Sequence, residues 1–291
     1  MHPAPSVIIF TSLSGLGFGL LAWLGFGFPL VFYWSAFWYF FVGFGLAVFG
    51  LVASTFHLGN PQRAIKAFRQ WRSSWLSREG IMAVFSLLVM GLYAIGLIFF
   101  GKNWQVVGIL GAVGSVITVF TTSMIYAQMK TVPRWNSGFT PVLFLLYSIA
   151  GGALLSGNSL AALILLAFLL LFQIIAWYLG DRSFANAGHT IETATGLGFL
   201  GKVRQLESPH SGSNYLLKEM VFVIGRKHAF KLRVISLVLL VVVPVIILLL
   251  DPFLGFSVLL AVLFHIVGLF VSRWLFFAEA EHVVGLYYDK R

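Results

Sequence analysis

A histidine and a carboxylate flank a basic stretch near the start of the chain. The stretch STFHLGNPQRAIKAFRQWRSSWLSREG, residues 54–80, separates two apolar runs and places His57 after the first run and Glu79 at the start of the second. If the two runs form a helical hairpin across a membrane, both groups lie at the same depth on the same side. A quinone ring needs a hydrogen-bond donor and a proton acceptor with a path to water. The spacing therefore permits a quinone site.

Each of the two residues also has a simpler interpretation. Ser77 could cap the second helix, with Glu79 in its first turn, where the helix dipole favours a carboxylate. His57 could be an interfacial histidine that bonds only to backbone. From spacing alone both interpretations stay open.

Few other ionisable residues lie within the apolar runs, and such groups are functional candidates in a membrane. His265 falls in the middle of the last run, and Glu279 and His282 follow near its end. A helix continued through residue 282 would place Glu279 and His282 on one face, as a candidate proton route. His57 and His265 come nearest to a haem-ligating pair, but their predicted depths differ by several turns, so haem is possible and not favoured.

The composition is that of an integral membrane protein. Of 291 residues, 59% are hydrophobic and 10% charged, whereas soluble domains average roughly 25% charged residues. Phe and Gly each contribute 30 residues, and Cys is absent. The missing Cys excludes disulfides, thiolate-bound iron–sulfur clusters and Cys-based zinc sites in this protein, and we expect no metal in it.

The apolar runs predict an all-α integral membrane protein, one transmembrane domain over residues 1–291 with a bundle of eight helices. A span needs about 20 mostly apolar residues. The sixth loop, about 181–229, is basic. The predicted spans are about 6–29, 34–57, 79–100, 104–128, 139–156, 158–180, 230–250 and 253–278.

The basic residues are unequally shared between the two sides. With eight spans, 18 of the 19 Lys and Arg residues lie on one side, Arg273 being counted with the C-terminal end, and only Lys102 lies opposite. The positive-inside rule then places both termini in the cytoplasm. Lipid headgroups account for the bias, and a docking surface for a soluble partner is compatible with it. Because the membrane accounts for the basic residues, we expect no nucleic acid as a partner.

Glycines predict packing and not nucleotide binding. Gly196, Gly198 and Gly201 match GxGxxG formally, but no strand or βαβ unit precedes them, so we expect a loop at the interface. Other glycines predict close helix packing. These are Gly15, Gly19, Gly91, Gly108, Gly111 and Gly114.

Three strings resemble a known family. FHLGNPQRA (56–64), SWLSRE (74–79) and TVPRWNSGFTP (131–141) are similar to the membrane anchor subunit of DMSO reductase-type molybdoenzymes, and the layout matches over the whole sequence. The resemblance implies a bacterial inner-membrane anchor with eight spans and no cofactor of its own. Its partners would be a molybdopterin catalytic subunit and a four-cluster iron–sulfur subunit. The motifs match His57 and Glu79 to the histidine and glutamate of the family's quinone site. Arg63 lies in the same motif and is expected to support the site.

The resemblance leaves the direction of electron flow open. The anchor could pass electrons from a cytoplasm-facing sulfite dehydrogenase into menaquinone or ubiquinone, which the basic sixth loop and the long C-terminal end favour. It could instead oxidise quinol for a DMSO reductase-like enzyme. A secondary transporter is a competitor of a different class, although no inverted repeat is visible. A purely structural anchor without a ligand is another.

Overall fold

The fold is helical throughout the described part of the chain. The computed structural model describes residues 1–57, 60–207, 209–210, 212, 214–221, 224–250 and 255–289. Every regular element within these ranges is a helix. The prediction of an all-α membrane protein is confirmed, since seven of the helices are long and apolar enough to cross a membrane.

Nine helices are labelled in the order of the sequence. Helix α7 is a single short turn in the loop after α6, and the others are long. The helices are α1 (Pro5–Gly25), α2 (Tyr33–Phe56), α3 (Trp75–Phe99), α4 (Gln105–Ala127), α5 (Phe139–Leu155), α6 (Ser159–Asn186), α7 (Ile191–Thr195), α8 (Arg226–Leu250) and α9 (Gly255–Ala278).

The predicted count of eight spans is not confirmed, because the fifth predicted span forms a helix of only 17 residues. At 1.5 Å per residue α5 is about 26 Å long, close to the lower limit for a span. Its end is set by Gly157, which turns the backbone with a φ of +74°. Asn158 then caps α6 by accepting a hydrogen bond from the Ala161 amide at 3.2 Å.

Helix α1 lies at the centre of the bundle. Its most apolar window is 72% buried, against 22% for the peripheral α6. It packs against α2, α4 and α5, while α3 pairs with α4 and α8 with α9. A π turn over Phe10–Ser14 interrupts the regular helix of α1 and directs small polar side chains into the interior.

The predicted role of glycines in packing is confirmed at four of six positions. A Cβ at Gly19 would overlap the backbone of α5 at Ser148, and Gly108, Gly111 and Gly114 meet neighbouring atoms as closely. The prediction is wrong for Gly15 and Gly91, which face open space. The sequence shows the positions of small residues, but it does not show which face of each helix packs against a neighbouring helix.

The segment after α6 carries the formal GxGxxG. Helix α7 ends at Thr195, and Gly196 caps it in the left-handed conformation with a φ of +68°. A single 3₁₀ turn follows over Gly198–Leu200. No strand occurs in the described residues around it. The three glycines therefore belong to a loop, as predicted.

Candidate functional site

Glu79 is a buried carboxyl group inside the bundle. It lies in the second turn of α3, is 3% exposed, and its Oε1 accepts a hydrogen bond of 2.5 Å from the Thr122 hydroxyl of α4. The helix begins at Trp75, and its N-cap is Ser74, which accepts from the Ser77 amide. The capping interpretation of Ser77 and Glu79 is therefore wrong. A carboxyl group buried beside a neutral hydroxyl is costly and is a candidate for function.

His57 and Arg63 are placed by their backbone, and their side chains lie outside the described residues. His57 ends the 3₁₀ turn Ser54–His57 that continues α2, and Arg63 belongs to the 3₁₀ helix Pro61–Gln70. That 3₁₀ helix packs against both the turn before it and α3. The segments that carry the three predicted quinone-site residues are therefore neighbours at one end of the bundle.

Arg273 is a buried cation inside the last helix. Its position in the sequence predicts that it belongs to the basic C-terminal end, but it lies inside α9 and is 2% exposed. Its guanidinium carbon lies 3.7 Å from the ring centroid of Phe144 and 4.6 Å from that of Tyr147. Within the described part of the chain, its Nε has no hydrogen-bond partner and no carboxylate lies within 4.0 Å of the guanidinium. A basic side chain near the end of an apolar run can be buried or can extend to the membrane interface, and the sequence alone does not distinguish the two.

Tyr126 of α4 belongs to an aromatic cluster. Its ring packs edge-on against Trp135 and Phe276, with centroids 5.3 and 5.5 Å away. The cluster joins α4 to α9. Of Glu79, Tyr126 and Arg273, only Glu79 is a site residue predicted from the sequence.

A second polar cluster joins three helices. The Tyr147 hydroxyl of α5 donates to Gln173 Oε1 of α6 and lies 2.5 Å from the Ser272 hydroxyl of α9. All three side chains are buried. Because buried polar groups need partners, the cluster fixes the spacing of α5, α6 and α9 around it.

Two cavities border these polar groups. The larger, about 90 Å³, lies between α5, α6 and α9, and the smaller, about 10 Å³, lies between the π turn of α1 and helices α4, α5 and α9. They share three wall residues, Phe144, Tyr147 and Arg273. The larger cavity therefore has aromatic walls with a cation and hydroxyls at its inner end, and Arg134 and Glu279 among its lining residues.

Glu279 belongs to an ion-pair cluster. It is 4% exposed and contacts Arg233 Nε at 2.6 Å and Arg134 Nη1 at 3.3 Å. Both arginines also bind Asp181, whose side chain is 47% exposed. Four segments far apart in sequence are tied together, namely the loop before α5, the end of α6, α8 and the end of α9.

The predicted helical face of Glu279 and His282 is wrong. Helix α9 ends at Ala278, and the next regular segment is the 3₁₀ helix Val283–Tyr288. His282 caps that 3₁₀ helix by accepting from the Val284 amide at 3.0 Å through Nδ1. Burial, followed by the positive charge of the N-terminal amine, lowers the pKa of His282, and its acceptor role requires a neutral ring.

His265 does not pair with a second described histidine. Its Nδ1 lies 2.8 Å from the Leu240 carbonyl oxygen, at the π turn of α8, and its Nε2 has no hydrogen-bond partner. Among the residues that the structure describes, no group of three or more His, Cys, Asp or Glu could hold a metal ion.

These features define a class of protein. The molecule is a multi-span helical membrane protein that concentrates buried ionisable groups toward one end of its bundle. It belongs to the family described as DMSO reductase anchor subunit (DmsC), which matches residues 6–278.

Named relatives agree with this family. The C subunit of sulfite dehydrogenase from Allochromatium vinosum is 31% identical, over 99% of both sequences. The anaerobic dimethyl sulfoxide reductase chain YnfH of Escherichia coli K12 is 37% identical over 40% of both sequences. The C chain of the anaerobic dimethyl sulfoxide reductase from the same organism is 33% identical over 38% of the present sequence and 41% of its own. No solved structure matches the protein significantly.

Proposed function

We propose that the protein is the quinone-reactive membrane anchor of a molybdopterin and iron–sulfur oxidoreductase. Family membership supports the anchor role. The buried Glu79 carboxyl supports quinone chemistry, because it accepts a hydrogen bond from Thr122 of α4. Glu79 lies near the start of α3, beside the segments that carry His57 and Arg63. Glu79 exchanges protons with the quinone, His57 donates to a quinone oxygen, and Arg63 supports the site.

The relatives support the proposed partners and direction of electron flow. Similarity along the full length to a sulfite dehydrogenase subunit favours a complex in which sulfite is oxidised and quinone reduced. The two electrons enter the anchor's quinone site from an iron–sulfur subunit, which receives them from a molybdopterin subunit. The partial matches to dimethyl sulfoxide reductase chains support the reverse direction, quinol oxidation, as the second candidate.

The orientation is part of the proposal. With α5 as an eighth, short span, all basic loops and both termini face the cytoplasm, at the inner membrane of a bacterium. The partner subunits then dock on the basic cytoplasmic face, beside the quinone site. Glu279 and His282 lie near the same face, where protons would meet water.

The test combines purification with two substitutions. The complex is extracted gently, its subunits are identified by mass analysis, and molybdenum, iron and quinone-linked turnover are measured on one sample. We expect Glu79→Gln and His57→Ala to assemble normally and to lower quinone-linked turnover by about 10²-fold or more, the usual contribution of a positioned acid or base. If both variants keep full turnover, the quinone site lies elsewhere. If the protein purifies alone without molybdenum or iron, the anchor function is wrong.

A further inference from the structure

Glu79 is connected to the interior of the bundle by Thr122. The Thr122 hydroxyl donates to Glu79 Oε1 at 2.5 Å and also lies 3.0 Å from the Thr118 carbonyl oxygen. A hydroxyl has one proton and two acceptor lone pairs. It can therefore receive a proton from the carboxyl while it turns its own proton to another acceptor. Thr122 also lines the smaller cavity, so that acceptor can lie there.

The smaller cavity has hydroxyl groups in its wall and is at the lower size limit for a single water. Its volume of about 10 Å³ is near the minimum for one water molecule, which also requires two to four polar partners. The π turn of α1 supplies Thr11, Ser12 and Ser14 to its wall. The Ser12 hydroxyl is buried, 1% exposed, and has no hydrogen-bond partner among the residues that the structure describes. A buried hydroxyl without a partner indicates a polar occupant beside it.

Tyr147 and Arg273 form the wall between the two cavities. The Tyr147 hydroxyl is bonded to Gln173 and Ser272, and both of these residues line the larger cavity. The guanidinium of Arg273 remains charged at neutral pH and offers donors to groups on either side. The hydroxyls can therefore pass protons onward while the arginine only orients them.

The larger cavity extends toward the ion-pair cluster. Arg134 and Glu279 line it. Arg134 binds the partly exposed Asp181, and Glu279 binds Arg134 and Arg233, the two arginines that pair with Asp181. Thr122 lines the smaller cavity, Glu279 lines the larger cavity, and Tyr147 lines both. The two cavities lie among α1, α4, α5, α6 and α9.

We propose that these side chains and the two cavities form the proton route of the quinone site, with Thr122 and Tyr147 as its two transfer points. The proposal rests on the proposed function. When a quinone accepts two electrons from the partner subunit, it takes up two protons, which pass one after the other from the larger cavity through Tyr147, the smaller cavity and Thr122 to Glu79. Quinol oxidation would move both electrons and both protons in the reverse direction.

Matched pairs of substitutions test the route in the intact complex. Thr122→Val and Tyr147→Phe remove the transfer hydroxyls. Thr121→Val and Tyr93→Phe are the controls, because both are buried side chains with hydrogen-bonded hydroxyls that line neither cavity. Thr122→Ser restores the hydroxyl. Turnover with a short-tailed quinone analogue is measured in H₂O and D₂O, together with the affinity for the same analogue.

We expect Thr122→Val and Tyr147→Phe to lower turnover by about tenfold or more, with an increased solvent isotope effect and an unchanged affinity for the analogue. The two controls and Thr122→Ser should stay near the wild type.

Three results would overturn the route. The first is that Thr122→Val and Tyr147→Phe both behave like their controls, while Glu79→Gln lowers turnover in the same complex. The route would then be wrong and the proposed function would stand. The second is that lost turnover is matched by lost analogue affinity with no change in isotope effect, since Thr122 and Tyr147 would then be structural supports. The third is that Glu79→Gln itself keeps full turnover, in which case the quinone site and the route fail together.

Discussion

The ion-pair cluster around Glu279 gives a quantitative prediction for stability. Glu279 is 4% exposed and lies between Arg233, at 2.6 Å, and Arg134, at 3.3 Å. Replacing it by Gln keeps the size of the side chain and removes the charge. Two guanidinium groups then share only Asp181, and breaking a buried ion pair in this way costs about 3–5 kcal/mol.

Asp181 offers the comparison within the same cluster. It binds both arginines, with contacts of 2.6 Å to each, but its side chain is 47% exposed. Water and salt screen an exposed pair, whose contribution is about 0–1 kcal/mol. Asp181→Asn should therefore destabilise far less than Glu279→Gln, although Asp181 makes the shorter contact with Arg134.

The assay is unfolding of the purified protein in mixed micelles, with the free energy of unfolding compared among Glu279→Gln, Asp181→Asn and the wild type. A double-mutant cycle with Arg233→Gln measures the coupling to Glu279, which we expect at about 1–3 kcal/mol. Equal effects of the two single substitutions, or a coupling near zero, would refute the reasoning from burial.

Two further predictions concern packing and orientation. Gly19→Ala should lower the free energy of unfolding by about 1–3 kcal/mol, because its Cβ would overlap the backbone of α5. Gly91→Ala should be neutral or stabilising by up to about 1 kcal/mol, and a larger loss there would contradict the packing. Since the sequence has no Cys, a single Cys can be labelled in intact cells without background from this protein. An impermeant reagent should label Lys102→Cys and not Arg72→Cys, and the opposite pattern would reverse the proposed orientation.

Most of the fold could be predicted because membrane insertion depends on local composition. Each apolar run is detectable without knowledge of its neighbours, and the predicted edges of the second and fourth runs lie close to α2 and α4. The exception is α5. Its 17 residues are near the minimum length for a membrane span, so local composition does not establish whether it crosses the membrane. Glu79 could be selected as a candidate because a carboxylate beside an apolar run is unusual. The Thr122 hydroxyl that binds it could not, since a threonine in an apolar helix is common.

The sequence is sufficient to identify an α-helical membrane protein of the anchor-subunit family, with His57, Arg63 and Glu79 on one short stretch. Hydropathy and motif are properties of contiguous residues, so they need no tertiary information. The folded arrangement is needed to show that Arg273 is buried among aromatic rings, that Glu279 pairs with Arg134 and Arg233, and that Tyr147 lines two cavities. Those contacts join residues far apart in the sequence, and their geometry depends on which face each helix turns inward.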